Sequence, residues 1–180
     1  MKKVIVLTGP TAIGKTSLSI ALSKHFHGEI INADASQFYK DLNIGTAKIR
    51  QHQTEGIKHH FIDFLSLEDT YSIKDFQEEA RHLIDDITCP FIVGGSGLYI
   101  QALISDYQLT GPPSSKEEYS HLSNEELYKM LVKEIPEVAN IVHENNRRRM
   151  IRYLERSNDS NLITSSIPNL VYDALILCFT

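Results

Sequence analysis

Gly9-Pro10-Thr11-Ala12-Ile13-Gly14-Lys15-Thr16 stands directly after the apolar run Val4-Ile5-Val6-Leu7 and directly before a helix-like stretch at 17–25. The spacing GxxxxGK[ST] between a strand and a helix is that of a phosphate-binding loop. Glycines let backbone N–H groups converge on a phosphate, the helix N-terminus adds positive dipole, and Lys15 supplies a mobile point charge. The Thr16 hydroxyl is the expected Mg²⁺ ligand. On these residues the chain binds a phosphorylated ligand through Gly9, Pro10, Thr11, Ala12, Ile13, Gly14, Lys15 and Thr16.

Outward from the loop, short apolar runs alternate with amphipathic stretches, the rhythm of a parallel sheet covered by helices. Strands are expected at 4–8, 29–33 and 91–93, with an extended segment at 60–64 and a last strand at 170–179. Ile73, Phe76, Ala80, Leu83, Ile84 and Ile87 recur at helical spacing, with Ser72 as N-cap and Asp75 three residues on. Another helix starts after Gly94-Gly95-Ser96-Gly97 and runs to about Ile104. The fold class is therefore α/β, a P-loop NTPase-like parallel sheet flanked by helices, with a small helical appended region. The Pro/Ser-rich run Thr110-Gly111-Pro112-Pro113-Ser114-Ser115 reads as a linker. It divides the chain into a catalytic core at 1–109, a helical insertion at 110–144, and an arginine-rich helix with a returning strand at 145–180. Helices are expected at 123–134, 136–142 and 145–156, and a mobile loop at 157–169.

The 180 residues hold one full-sized core, 42% hydrophobic, with a net charge of -5 that does not advertise a nucleic-acid binder. Met1-Lys2-Lys3 leads into a short apolar run, neither a signal peptide nor a membrane span, so a cytoplasmic location is expected. Cys89 and Cys178 are far apart and suit reduced thiols rather than a zinc site.

In open parallel sheets ligands sit at the carboxyl ends of strands. Asp34, Gly94-Gly95-Ser96 and the phosphate loop all fall there, making one site of three motifs. Asp34 reads either as a general base or Mg²⁺ holder, or as a turn aspartate capping the next turn. Ser96 offers a hydroxyl beside a glycine turn. His59 and His60, adjacent on an extended chain, read as satisfied structural histidines. Arg148 and Arg152 share a helical face, as do Arg149, Arg152 and Arg156. Such a stripe grips a diphosphate or an RNA backbone, or forms a solvated face with Glu144 and Glu155. The strand at 91–93 ends in Gly94, without the Asp that a phosphate-loop motor or switch uses to hold Mg²⁺.

Six ordered blocks resemble the tRNA dimethylallyltransferase family: the phosphate loop, Ile31-Asn32-Ala33-Asp34-Ala35-Ser36-Gln37-Phe38-Tyr39, Ile44-Gly45-Thr46-Ala47-Lys48, His59-His60-Phe61-Ile62-Asp63, Tyr71-Ser72-Ile73-Lys74-Asp75-Phe76 and Gly94-Gly95-Ser96-Gly97-Leu98-Tyr99. The run 145–155 is similar to the family's later arginine motif. The resemblance implies transfer of a five-carbon group from dimethylallyl diphosphate to the exocyclic amine of the adenosine 3′ of the anticodon, with tRNA's anticodon stem-loop as partner, Mg²⁺ as cofactor and a monomeric enzyme. Asp34 becomes the base. Lys15, Thr16 with Mg²⁺, and Arg149 or Arg152 become the diphosphate's partners. Ser96 orients the amine or the leaving oxygen. Asp34, Ala35, Ser36, Gln37, Arg148, Arg149 and Arg152 become contacts to tRNA, with Gln37 reading the flipped base.

The chain departs from the family's pattern in three places. Ala35 follows Asp34 where the family commonly has Ser, the segment after Leu109 is short, and the chain stops at Thr180, short of the family's usual length. Donor binding is expected to survive these losses better than tRNA binding. An adenylate isopentenyltransferase, a nucleoside or nucleotide kinase, and a catalytically silent diphosphate- or tRNA-binding module remain the other readings.

Overall fold

The computed structural model describes residues 1–107, 119–138, 141–155 and 169–180. Two compact units are present, one of Met1–Leu109 with Pro168–Thr180, the other of Thr110–Ile167.

The first unit is built on five strands, β1 (Lys3–Thr8), β2 (Glu29–Asn32), β3 (His59–His60), β4 (Pro90–Gly94) and β5 (Asp173–Cys178), in the order β3-β2-β4-β1-β5. Every pairing is parallel. β4 lies between β2 and β1 and is buried along its whole length, as a strand covered on both faces requires. Its register sets Gly94 opposite Thr8 and Val93 opposite Asn32, so three strand ends finish side by side.

One face of this sheet packs against helices α2 (Ile73–Asp86) and α3 (Gly97–Ile104). Helix α2 starts where the sequence predicts. Ser72 accepts from the Asp75 N–H, and Asp75 reaches back to the Ser72 N–H at 2.8 Å. Its apolar stripe Phe76, Ala80 and Ile84 is fully buried. Phe38 is the hub of that core, with ring centroids 5.5 Å from Phe76 and 5.6 Å from Tyr99. Truncating such a residue to Ala costs about 3–5 kcal/mol. The other face holds Leu7, Ile20, Ile30, Phe91 and Val93, with Ile20 supplied by helix α1 (Lys15–Phe26). The fold is thus the expected α/β parallel sheet between helical layers.

β5 occupies an edge and differs from β4. Its Leu175, Ile176 and Leu177 are 57%, 47% and 37% exposed. Strand propensity placed β5, and pairing with β1 holds it, but burial does not accompany its apolar run.

The extended segment expected at 60–64 is shorter. β3 is only His59–His60, because Phe61 and Asp63 take left-handed φ values of 60° and 54°, which end a strand. The two histidines are satisfied as expected. His59 Nδ1 lies 2.9 Å from Ile57 O, and His60 Nε2 lies 2.6 Å from Glu29 Oε2. Cys89 and Cys178 are free thiols.

The second unit has its own core, formed by Leu127, Leu131, Ile135, Val138, Val142, Met150, Ile151 and Leu154. Helix α4 (Asn124–Glu134) begins at a capping box between Ser123 and Glu126. The expected helix at 136–142 is a 3-10 turn, Pro136–Val138, and residues 139–140 lie outside the described residues. Helix α5 (Arg147–Leu154) is shorter than expected at both ends, with the Asn146 side chain capping it through the Arg149 N–H. Grouping α5 with the returning strand at 145–180 does not match the packing. α5 buries Met150, Ile151 and Leu154 against the residues of α4, and only β5 returns to the sheet. The linker at 110–115, Arg156 and nearly all of the loop expected at 157–169 lie outside the described residues. Among the described residues no helix is long and apolar enough to cross a membrane.

Candidate active site at the carboxyl edge of the sheet

The ends of β1, β2 and β4 open onto a cavity of about 320 Å³ whose lining includes Thr11, Lys15, Thr16, Asp34, Gln37 and Gly94. The sheet order brings these together. Adjacent strand ends carry the three motifs, so residues far apart in sequence meet across a single opening.

On one wall the phosphate loop turns sharply between β1 and α1. Gly9 has φ 134°, and a Cβ there would stand 2.7 Å from Phe179 O, so only glycine fits. Gly14 has φ 94° and precedes α1, whose first turn has no side-chain cap and no acidic residue. The first N–H groups of α1 are therefore not taken up by a capping side chain. Lys15 Nζ donates to Gly9 O at 2.8 Å and to Pro10 O at 2.5 Å, which holds the ammonium across the loop. Thr16 is exposed, lines the cavity and uses its carbonyl to accept from Ser19 Oγ.

The opposite wall is built around Asn32, which is 5% exposed at the end of β2. Its Nδ2 donates to Asp34 O at 3.2 Å and to Phe61 O at 2.9 Å, and its Oδ1 accepts from the Asp34 N–H at 3.2 Å. Asp34 is in turn the cap of a 3-10 turn, Ala35–Gln37. Its Oδ1 accepts from the Ser36 N–H at 3.2 Å and from Ser36 Oγ at 2.7 Å. The turn-capping reading of Asp34 is therefore seen directly. One oxygen caps the turn, and Oδ2 carries no hydrogen bond among the described residues. Gln37 Nε2 donates to Thr46 O at 3.2 Å, which brings the 42–48 loop against the cavity.

Gly94 closes the floor. A Cβ there would meet Ala33 O at 2.4 Å, so the close approach of the backbone just past β2 requires a glycine. Ser96 caps α3 without using its hydroxyl for the cap, and it does not line the cavity. Ala35 and Ser36 are likewise outside the lining, with Ser36 acting through Asp34.

Several residues of the site carry little signal in the residues alone. Asn32, Thr46, Ala47, Ile49, His59 and Ile62 line the cavity. The Ile44-Gly45-Thr46-Ala47-Lys48 block was visible only as a family resemblance, and His59 looked purely structural. Burial pushes the His59 imidazole below its ordinary value of 6.5. In the neutral ring Nδ1 donates to Ile57 O, which leaves Nε2 an acceptor.

The arginines belong to the second unit. Arg148 and Arg149 are exposed, and Arg149 lies 5.9 Å from the Tyr153 ring centroid. Arg152 pairs with Glu155 at 4.0 Å, one of the two partners the solvated-face reading named, but the Glu155 side chain is only 5% exposed, so the pair is half-buried rather than solvated. Arg147 does something else. It donates to Tyr119 O at 2.6 Å and Leu122 O at 2.7 Å, tying α5 to the entry of α4.

Among the described residues no cluster of three or more His, Cys, Asp or Glu could cage a metal. Mg²⁺ does not need one, because it keeps several waters and binds through substrate phosphates and one or two protein oxygens. The exposed Thr16 hydroxyl and the Asp34 carboxylate, both lining one cavity, fit that donor set.

Known proteins resemble this chain in sequence and fold. The chain is 51% identical over 161 residues to the tRNA dimethylallyltransferase of Anoxybacillus flavithermus, covering 86% of this chain and 52% of that protein. It is 44% identical over 193 residues to that of Enterococcus faecalis, covering 98% and 62%. The chain thus spans between about half and two-thirds of the length of these curated relatives. A crystal structure of a eukaryotic dimethylallyltransferase acting on tRNA superposes with a TM-score of 0.83 at 33% identity, covering 99% of this chain and 48% of that one. The full-length tRNA isopentenylpyrophosphate transferase of Bacillus halodurans gives 0.65 at 34% identity, covering 99% and 60%. The IPP transferase family model matches residues 37–176, most of the chain, and with the phosphate loop and Asp34 bend facing one cavity this chain belongs to the IPP transferase family.

Proposed function

We propose that the chain transfers a dimethylallyl group from dimethylallyl diphosphate to the N6 amine of the adenosine 3′ of the anticodon in tRNA. The observation that carries this reading is the single cavity shared by a phosphate loop and an aspartate with an unspent carboxylate oxygen. A phosphate loop alone would serve a kinase. Here β4 ends in Gly94 rather than in an acidic residue, and the carboxylate stands instead at the end of β2.

In the reaction the adenine N6 attacks C1 of the donor, the C1–O bond breaks, and the diphosphate departs with the electron pair. Charge developing on the diphosphate is met by Lys15 and the first N–H groups of α1. The Thr16 hydroxyl would hold Mg²⁺, which when bound would supply further charge neutralisation to the diphosphate. Arg149 and Arg152 of the second unit are proposed as diphosphate-binding cations and, with Arg148, as contacts to the RNA backbone. As the new C–N bond forms, the amine becomes acidic, and Asp34 Oδ2 takes its proton. Gln37, with its amide nitrogen committed to Thr46 O, retains a carbonyl oxygen that accepts from the base's amine edge. The base must leave its stack to reach this pocket. Ser96 is proposed to orient the amine or the leaving oxygen, and Ala35 and Ser36 complete the surface the tRNA meets. A cytoplasmic monomer goes with this reading, checked by size-exclusion chromatography with light scattering.

The test is incubation with radiolabelled dimethylallyl diphosphate and Mg²⁺, separately with unmodified tRNA, an anticodon stem-loop or AMP. Label on the adenosine of tRNA or stem-loop is expected. Label on AMP alone moves the reading to a nucleotide acceptor, and binding of donor without transfer to any acceptor overturns it.

A further inference from the structure

Lys48 lies where three segments of the first unit meet. Its side chain is 2% exposed, and Nζ donates to Asp63 Oδ1 at 2.5 Å and Tyr39 O at 2.6 Å. Lys48 does not line the cavity that holds Lys15 and Asp34, but its neighbours Thr46 and Ala47 do. A buried ammonium requires partners that hold it in place. Here those partners come from the 34–39 bend and the 61–65 corner, while the lysine itself comes from the 42–48 loop.

Other bonds run through the same knot. The Asp63 N–H donates to Gln37 O at 3.2 Å, the Leu65 N–H donates to Phe38 O at 3.0 Å, and Gln37 Nε2 donates to Thr46 O at 3.2 Å. The backbone is strained in the same place. Asp41, Ala47, Phe61 and Asp63 all take left-handed φ values, between 48° and 67°, without being glycine. Such conformations persist only where surrounding contacts over-determine them.

We propose that Lys48 is a positioning residue for the acceptor: its buried ammonium latches the 42–48 loop to Asp63 and Tyr39, and through Thr46 sets the Gln37 amide at the cavity. This rests on the proposed reaction with an RNA adenosine. The phosphate loop shares none of these bonds, so the latch is specific to the acceptor side.

The test uses Lys48→Met, which keeps an unbranched chain without charge, and Asp63→Asn. The second variant keeps the shape of Asp63 and suits its left-handed φ, since Asn is favoured there, so it remains informative if the first fails to fold. Hydrogen exchange of the chain without substrates is expected to quicken about tenfold or more across 42–48 in both variants, with α1 unchanged. In steady state the KM for the anticodon stem-loop is expected to rise about tenfold while that for dimethylallyl diphosphate stays within about twofold. Lys48→Arg, which retains the cation, is expected to restore most of the acceptor KM. Unchanged exchange at 42–48, or an equal rise in both KM values, overturns the latch. If the wild-type chain transfers no prenyl group, the proposed reaction fails, and the exchange measurement still decides on the latch by itself.

Discussion

One wall of the cavity comes from a single run of the chain, the phosphate loop, with Thr11, Ala12, Gly14, Lys15 and Thr16 lining it, whereas across from it Asn32 and Gln37 are held by bonds to Phe61 O and Thr46 O. On the first wall the work is done by backbone geometry, by glycines at φ values of 134° and 94° and the start of a helix. On the second it is done by side-chain amides reaching carbonyls, across 29 residues for Asn32 and Phe61 and 9 for Gln37 and Thr46. The difference teaches that the two walls of one cavity can fail independently. A local loop survives distant damage, while a wall assembled from long-range bonds depends on the packing behind it.

The largest effect that would sharpen this contrast comes from Asp34→Asn. Transfer is expected to fall about 10²–10⁴-fold, as for removal of a proton acceptor, with donor affinity unchanged in a binding assay. A loss of donor affinity of similar size would erase the division between the walls. Next is Lys15→Ala, for which a loss of about 10²–10³-fold in transfer is expected, accompanied by weaker donor binding and unaltered stem-loop binding.

Asn32→Ala breaks the second wall from behind. It removes three hydrogen bonds at a 5% exposed position and leaves the Phe61 carbonyl without its donor. A stability loss of about 1–3 kcal/mol is expected by denaturant titration, together with lowered transfer at retained donor binding. A variant as stable and active as the wild type would show that Asp34 is placed by something else.

The smallest effect lies at the β2–β3 edge. The His60 hydrogen bond holds the Glu29 carboxyl below its ordinary value of 4.5, with Lys58 adding to the effect. A depressed carboxylate stabilises the fold above its unfolded value and loses that contribution as pH falls through the folded one. The denaturation midpoint of His60→Ala is therefore expected to fall less steeply than that of the wild type below about pH 4.5. Parallel curves for the two proteins would remove Glu29 from the account.

Legibility in the sequence followed the range of the interactions. Ser72 and Asp75 announced the start of α2 because a capping box is complete within four residues. The arginine run announced a helix but not its division of labour. Arg147 is taken up by Tyr119 and Leu122 carbonyls that spacing alone does not pair with it, leaving Arg148 and Arg149 exposed. The segment 60–64 read as a strand because its residue types favour one, yet Phe61 and Asp63 adopt left-handed backbone that only the surrounding contacts sustain. Gly94 read as one part of a ligand-facing strand end, and the structure shows that the backbone of Ala33, just past β2, leaves no room for a side chain there.

By itself, then, the sequence determined the phosphate loop, the alternation of strand and helix, and the location of Asp34 at a strand end, since each depends on residues close along the chain. Tertiary structure decided that β4 should be buried while the equally apolar β5 is exposed, that Asn32 and Gln37 should brace the second wall of the cavity, and that Lys48 should be buried against Asp63. The physical reason is that burial and long-range hydrogen bonds depend on which segments the sheet order brings together, and strand order is a property of the packed chain rather than of any window of residues.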